Sequence, residues 1–504
     1  MRTRYNVAAS LAGNFWAALV QIAFIPVYIK YLGVEAFGLI GAYASLQALL
    51  FLLDLGFTQA LVREMARFMG GAITGTDAGN QLRTVEVIFL ALGLLMLCLV
   101  GAVASWFAAH WLNVDGLSLQ SVALATYIFG FIFLFRWLAG LYRRVIAGLQ
   151  QTVWLSACGA VFDSLRGCGA ILVLIFVSAT IEAFLAFQAA VAFVEMIVLF
   201  RKAWGLLPSP VNPKFCYEAL RRNWRFSGGF VLLSLIVVLL IHSDRILLSR
   251  ILSLQQFGYY ALASTVAGTL TLLIAPVGSV AYPRLAELVA RGNPARLSLS
   301  YHRFAHLVIL LTAPWAIVLA LFADHLLMLW TGNPTTTSEV GPLISPLAMS
   351  YMFAGFMSVP GNLLLAQGRA RPMLALYGAL FLVFVPAVYF SATAYGAVPA
   401  AYASMTVSAV WSMIVLPLAL GKQLPARSRR GRADDISTVV AALAGAYVVH
   451  LLAPGMDVSR VASSFWVVSI ALLCAFGSSL AASSLGRELA YRGWLRCVRT
   501  WELY

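Results

Sequence analysis

The run VEVIFLALGLLMLCLVGAVASWFAA fills residues 85–109 and carries a single charged side chain, Glu86, at its start. As a helix it would reach roughly 37 Å at ~1.5 Å per residue, more than the ~30 Å hydrocarbon thickness of a bilayer. Lipid offers the backbone no water to bond with, so a spanning segment must satisfy its own amides as a helix. Working outward, comparable apolar stretches recur at 6–29, 37–62, 119–141, 153–177 and 181–200. Further along the chain they recur at 226–248, 257–282, 303–323, 340–366, 372–391, 396–420, 436–453 and 461–482. The fold class is an all-α integral membrane protein with about 14 transmembrane helices, twelve spans plus two poorly placed segments being the alternative partition.

Composition agrees. The 504 residues are 62% hydrophobic and 11% charged, too few charges to cover a soluble protein of this size. The net charge of +15 does not indicate a nucleic-acid partner, because the basic residues lie between apolar segments and form no basic domain. With the N-terminus placed in the cytoplasm, 28 of the 34 Lys and Arg fall in the even-numbered loops and the two tails. The opposite side holds Lys30, Arg250 and Arg460, while Arg136, Arg166 and Arg245 lie within spans. Orientation follows the Lys and Arg of short loops, and a wrong span count would scramble this alternation. Both termini are expected on the cytoplasmic side. The six cysteines include no CxxC pair and suit packing positions rather than disulfides or metal ligands. Met-Arg-Thr-Arg before a long span reads as the start of a retained first helix rather than a cleaved signal peptide.

Loop lengths divide the chain further. Residues 1–200 form an N-terminal six-helix bundle and 226–420 a C-terminal one, joined by a basic cytoplasmic linker, 201–225, that carries Pro208, Pro210 and Pro213. A second basic loop, 421–435, leads to two additional spans within 436–482 and a cytoplasmic tail, 483–504. An internal echo supports the division: Phe37-Gly38 and Phe257-Gly258 each follow a short outer turn, 220 residues apart. Paired bundles of this kind are a common transporter plan, with the site around a central cavity between them.

Polar residues inside apolar segments are costly and normally face protein or water. Ser10, Asn14, Gln21 and Tyr28 share one face of the first span; Tyr43, Gln47, Asp54 and Thr58 share one of the second. Thr152, Ser156, Asp163 and Arg166 align on the fifth, and Ser227, Ser234 and Arg245 on the seventh. Interhelical hydrogen bonding explains most such hydroxyls, but the charges carry more. Asp163 and Arg166 are spaced to pair, either structurally or around a substrate, and Arg166 is the deepest cation. Asp54 has no partner nearby in sequence. Asp244 and Arg245 lie near the outer end of span seven, where His242 is a candidate for proton coupling. Arg136 and Glu195 lie close enough to the cytoplasmic boundary to snorkel.

His302 and His306 share a helix face, yet no third ligand accompanies them, so no metal and no cofactor is expected. Pro26, Pro276, Pro314, Pro346, Pro360 and Pro386 would bend helices, which suits alternating access. GxGxxG, Walker A, HExxH and GxSxG motifs are missing, so no enzyme activity is expected.

Two stretches resemble a known family. Tyr31-Leu32-Gly33-Val34-Glu35-Ala36-Phe37-Gly38, then Leu53-Asp54-Leu55-Gly56-Phe57 with Arg63 beyond, resembles the polysaccharide flippases. These are O-antigen and exopolysaccharide translocases of the multidrug/oligosaccharidyl-lipid/polysaccharide exporter superfamily. His242-Ser243-Asp244-Arg245-Ile246-Leu247-Leu248-Ser249, followed by Phe257-Gly258-Tyr259-Tyr260, is similar to that superfamily's pattern at the start of the second bundle. The resemblance covers about 1–70 and 225–290.

It implies two six-helix lobes around a cavity in the bacterial inner membrane, and a cargo of undecaprenyl-diphosphate-linked oligosaccharide moved to the periplasmic leaflet. Cationic cavity residues would meet the diphosphate and polar stripes the sugars. Asp54, Asp244 and Arg245 match family positions; Arg166, Asp163, Gln21, Asn14 and Gln47 join them from the residue reading. Asp54, His242 and Asp244 are the candidates for coupling to H+ or Na+. Implied partners are membrane lipids and other polysaccharide-assembly proteins. Lipid II flippases carry arginines on the first span and cation-coupled exporters often an Asp; this chain has neither there. The two extra C-terminal spans would offer a groove for the lipid tail. A cation-coupled multidrug antiporter and, behind it, a membrane-embedded glycan polymerase are the alternatives.

Overall fold

A computed structural model describes residues 13, 15–54, 57–208, 214–420, 429–452 and 461–488. Asn14, Ser10 and the proline-bearing stretch 209–213 lie outside them. The described residues are almost wholly helical and form no strand beyond one isolated bridge, Asn113 to Ser253. Twelve of their helices are long and apolar enough to cross a membrane. Internal contacts divide the chain into two compact units, Met1–Gly258 and Tyr259–Tyr504.

The first unit opens with α1 (15–23) and α2 (Ile25–Leu50), the latter broken at Gly33, whose φ of 84° and ψ of 165° leave the helix. That break falls at the turn expected between the first two spans. A second break was hidden in the sequence. The apolar stretch 37–62 is not one helix: it passes through a 3-10 turn, Phe51–Asp54, before α3 (Phe57–Met69) begins. Asp54 makes the restart possible, because its carboxylate accepts from the Thr58 amide at 2.9 Å and from the Thr58 hydroxyl at 2.5 Å. A helix's first amides lack intrahelical partners, and this acid supplies one.

The next helix, α4 (Gly75–Trp106), holds residues 85–106 of the apolar run quoted above and starts at a capping box. Thr74 Oγ1 accepts from the Asp77 amide at 3.1 Å while the Asp77 carboxylate accepts from the Thr74 amide. Then come α5 (Leu119–Gly148), α6 (Thr152–Phe176), α7 (Ile181–Gly205) and α8 (Tyr217–Ile251). α5 is the buried centre of this unit, packed by α3, α4 and α7. Its Trp137 stacks on Phe89 with centroids 4.5 Å apart and donates to the Phe89 carbonyl at 3.0 Å. Lipid is as apolar as these side chains, so close packing and interhelical hydrogen bonds hold the bundle. Tyr43 illustrates the second: its hydroxyl meets Thr126 of α5 at 2.8 Å. α8 packs on α2, α3 and the Phe51–Asp54 turn.

The chain continues through α9 (Leu254–Ala290), whose first residues count with the first unit. In the second unit follow α10 (Pro294–Leu321), α11 (Ala323–Thr331), α12 (Pro334–Gly355), α13 (Ser358–Ala366), α14 (Ala370–Tyr395), α15 (Ala397–Val410) and α16 (Leu416–Leu420). The two additional spans are α17 (Arg429–Leu452) and α18 (Val461–Ala482). They dock on α10 through small residues, Ala442, Ala446, Ala471 and Ala475 meeting Ile317 and Val318. At one end of that seam His306 of α10 bonds Asp435 at 2.7 Å. Asp434 accepts from the Ser484 amide at 2.9 Å. His306 thus serves as an interhelical contact, and Asp434-Asp435 is drawn into the fold. Ser350 of α12 reaches the Ser404 carbonyl at 3.2 Å and Ser408 at 3.0 Å, tying α12 to α15. Pro276, Pro314, Pro346 and Pro386 all lie inside helices, as expected of bending positions.

Candidate functional site

The first unit concentrates charge at one place within its spans. Asp163 and Arg166, one turn apart on α6, pair at 3.0 Å through Arg166 Nη1. The other nitrogen, Nη2, donates to Glu195 Oε2 on α7. Arg143 of α5 donates to Glu195 Oε1. One carboxylate, 2% exposed, therefore bridges guanidinium groups from two helices. Arg136 lies two turns before Arg143 on the same α5 face and is close enough to feel both Asp163 and Arg143.

Three guanidinium groups thus stand against two carboxylates. A charge in lipid needs a partner or water, and here the acids satisfy two cations and leave a surplus of one. The partner pattern identifies it: no ion pair engages Arg136 among the described residues, and its buried Nε has no hydrogen-bond acceptor. Arg166 also keeps a buried Nε without an acceptor. The cluster can accept an anion without giving up its internal pairs, since planar guanidinium groups bind phosphate oxygens in a two-pronged fashion.

The remaining candidates disperse. Asp54 caps α3. Gln47 is half-buried on α2 and Gln21 exposed on α1. Asp244 is buried on α8, beside half-buried Arg245 and His242. The structure brings the Asp54 turn and α8 together, but neither joins the arginine cluster. Sequence reading singled out Asp163 and Arg166 and left Arg136 and Glu195 as boundary residues; it missed Arg143. The available signal was the seven-residue spacing of Arg136 and Arg143, two helical turns. A second charged network lies in the same unit, where Glu86 bonds Arg83 at 2.9 Å and the Tyr142 hydroxyl at 2.5 Å. Among the described residues no group of three His, Cys, Asp or Glu side chains could hold a metal ion.

Comparison with known proteins now bears on this arrangement. A Shigella flexneri protein named as an O-antigen transporter is 21% identical over 401 residues, covering 79% of this chain and 92% of that protein. Among solved structures, the lipid II flippase MurJ in its inward closed conformation superposes with a TM-score of 0.72 at 12% identity, covering 97% of this chain and 99% of that one. An inward-facing multidrug resistance transporter of the MATE family superposes with a TM-score of 0.62 at 14% identity, covering 81% and 96%. At such identities the structural likeness speaks for the fold. A MatE family profile matches residues 230–390, and a profile of polysaccharide biosynthesis proteins matches residues 4–289, more than half of the sequence. The chain belongs to the polysaccharide biosynthesis protein family, within the multidrug/oligosaccharidyl-lipid/polysaccharide exporter superfamily.

Proposed function

We propose that the protein is a flippase for an undecaprenyl-diphosphate-linked oligosaccharide, carrying it from the cytoplasmic to the periplasmic leaflet of a bacterial inner membrane. The observation that carries this reading is the surplus guanidinium of the Arg136–Arg143–Arg166 cluster, set among membrane spans of a polysaccharide biosynthesis protein. A diphosphate is the anion that such a cargo presents, and a partly paired arginine cluster binds it without the full cost of a bare buried charge. Asp54, Asp244, Arg245 and the polar faces carrying Gln21, Gln47 and Asn14 contribute further contacts or coupling. Both termini lie in the cytoplasm, as the basic residues of the loops require. The test is a strain lacking the gene: labelled lipid-linked oligosaccharide should accumulate on the cytoplasmic leaflet while surface glycan is lost. Normal surface glycan would reject the reading.

A second reading is a cation-coupled multidrug antiporter, favoured by the MatE match over residues 230–390. It requires dye efflux driven by a proton or sodium gradient. Unchanged drug susceptibility and no such efflux would remove it.

A further inference from the structure

The second unit contains a cavity of about 660 Å³ that the translocation reading does not use. It lies among the end of α10, α11, the first turns of α12 and the start of α15. In the orientation set by the basic residues, all four of these helix ends face the outside. The volume is that of a small-molecule site.

Its chemistry is selective. The lining contains one charged group, the carboxylate of Asp324, and no Lys, Arg or His. The adjacent His325 adds no cation near neutral pH: burial pushes it below the ordinary imidazole value, Asp324 opposes that only in part, and His450 adds to it. A diphosphate would find no cation to bind here. Asp324 sits in the first turn of α11, where the helix N-terminus favours a charged carboxylate. Gly341 leaves room for it, since any side chain there would meet Asp324 Oδ1.

The hydrogen-bonding capacity is largely unspent. No hydrogen bond or ion pair among the described residues engages the side chain of Asp324, Ser345 or Tyr402. The Thr337 and Ser338 hydroxyls donate to the Asn333 and Thr335 carbonyls, which leaves their oxygens as acceptors. Tyr402 is 49% exposed and lines the same cavity. A carboxylate acceptor, several hydroxyls and an aromatic face, without any cation, match the hydroxyl edge and C–H face of a sugar ring.

We infer that this cavity is a binding site for an uncharged, hydroxyl-rich sugar at the outer face of the second unit. Asp324 accepts from two ring hydroxyls, Ser345, Thr337 and Ser338 complete the polar edge, and Tyr402 stacks on the apolar face. The site is separate from the arginine cluster and binds free sugar whether or not the flippase reading holds.

The test is saturation-transfer NMR on the full-length protein in lipid nanodiscs. The probes are methyl glycosides of glucose, galactose, mannose, rhamnose and N-acetylglucosamine. At least one should receive saturation, with affinity reduced about tenfold by Asp324→Asn, as expected for loss of a charge-assisted hydrogen bond. Tyr402→Ala should weaken it similarly, and Ser345→Leu, which adds bulk to the cavity lining, should abolish it. Arg166→Ala should leave it unchanged, whatever that variant does to transport. No saturation of any glycoside would overturn the inference, as would binding indifferent to all three cavity variants. Binding of rhodamine 6G but of no glycoside would overturn it too, in favour of a cation pocket.

Discussion

A Cβ placed on Gly38 would lie 3.0 Å from the backbone nitrogen of Gly258, and one placed on Gly258 would run into the Val34 carbonyl oxygen. The two Phe-Gly dipeptides, 220 residues apart in sequence, therefore meet main chain to main chain, with Phe37 and Phe257 both buried beside them. The internal echo read from the sequence corresponds to a physical crossing of α2 with the first turn of α9. Only glycine permits that approach.

Gly38→Leu or Gly258→Leu should thus lower the thermal stability of the detergent-solubilised protein by at least the ~1–3 kcal/mol typical of overpacking. Backbone cannot retreat as a side chain can. Gly140→Ala, where an added Cβ meets nothing within 4 Å, should be neutral. Fluorescence-detected size exclusion after heating reads the difference, and equal tolerance at all three positions would refute the close crossing.

Glu195 should matter more for stability than any single arginine around it. It bridges Arg143 and Arg166, so Glu195→Gln leaves Arg143 without a carboxylate and Arg166 with Asp163 alone, at a cost of up to the ~3–5 kcal/mol of a broken buried pair. Arg136→Ala removes the cation without an ion pair and should leave the melting temperature within a degree or two. A comparable loss in both variants would mean that the cluster has no surplus charge.

Asp54 has a local task that separates from any role in transport. Asp54→Ala should cost about 0.5–2 kcal/mol through the lost cap on α3, whereas Asp54→Asn keeps an acceptor for the Thr58 amide and most of that stability. Transport lost in Asp54→Asn at normal stability would assign the charge itself a function. Transport retained in that variant would confine Asp54 to capping.

The C-terminal pair of helices should loosen when its polar contact is removed. His306→Ala and Asp435→Ala each take away the 2.7 Å bond between α10 and α17. A double-mutant cycle on melting should return a coupling energy of about 0.5–3 kcal/mol. Additive losses would show that the small-residue seam alone holds α17 and α18.

What sequence could reveal follows the range of each interaction. Span positions were legible because bilayer thickness fixes segment length, a local property. The Asp163–Arg166 pair was legible from its spacing on one helix. Glu195 joins that pair from 29 residues away and Arg143 from the helix before it, and no local pattern announces such a meeting. Asp435 meets His306 across 129 residues, a separation that no local pattern spans. The turn at Phe51–Asp54 was concealed for a different reason. Leu52, Leu53, Leu55 and Phe57 keep the hydropathy high, and the turn depends on one carboxylate reaching back to a helix start.

Under the proposed function, the surplus cation of the first unit meets the phosphate of a lipid-linked glycan during translocation. The most direct measurement is flipping by purified protein reconstituted in vesicles, using undecaprenyl-diphosphate-linked oligosaccharide, with and without a pH gradient. Wild type should flip the substrate, and Arg136→Ala should slow it at least ~10-fold, the effect of losing one charge-assisted contact, with its fold unchanged. Flipping by Arg136→Ala at the wild-type rate would rule out that contact, and no flipping of any lipid-linked glycan by the wild-type protein would reject the flippase reading.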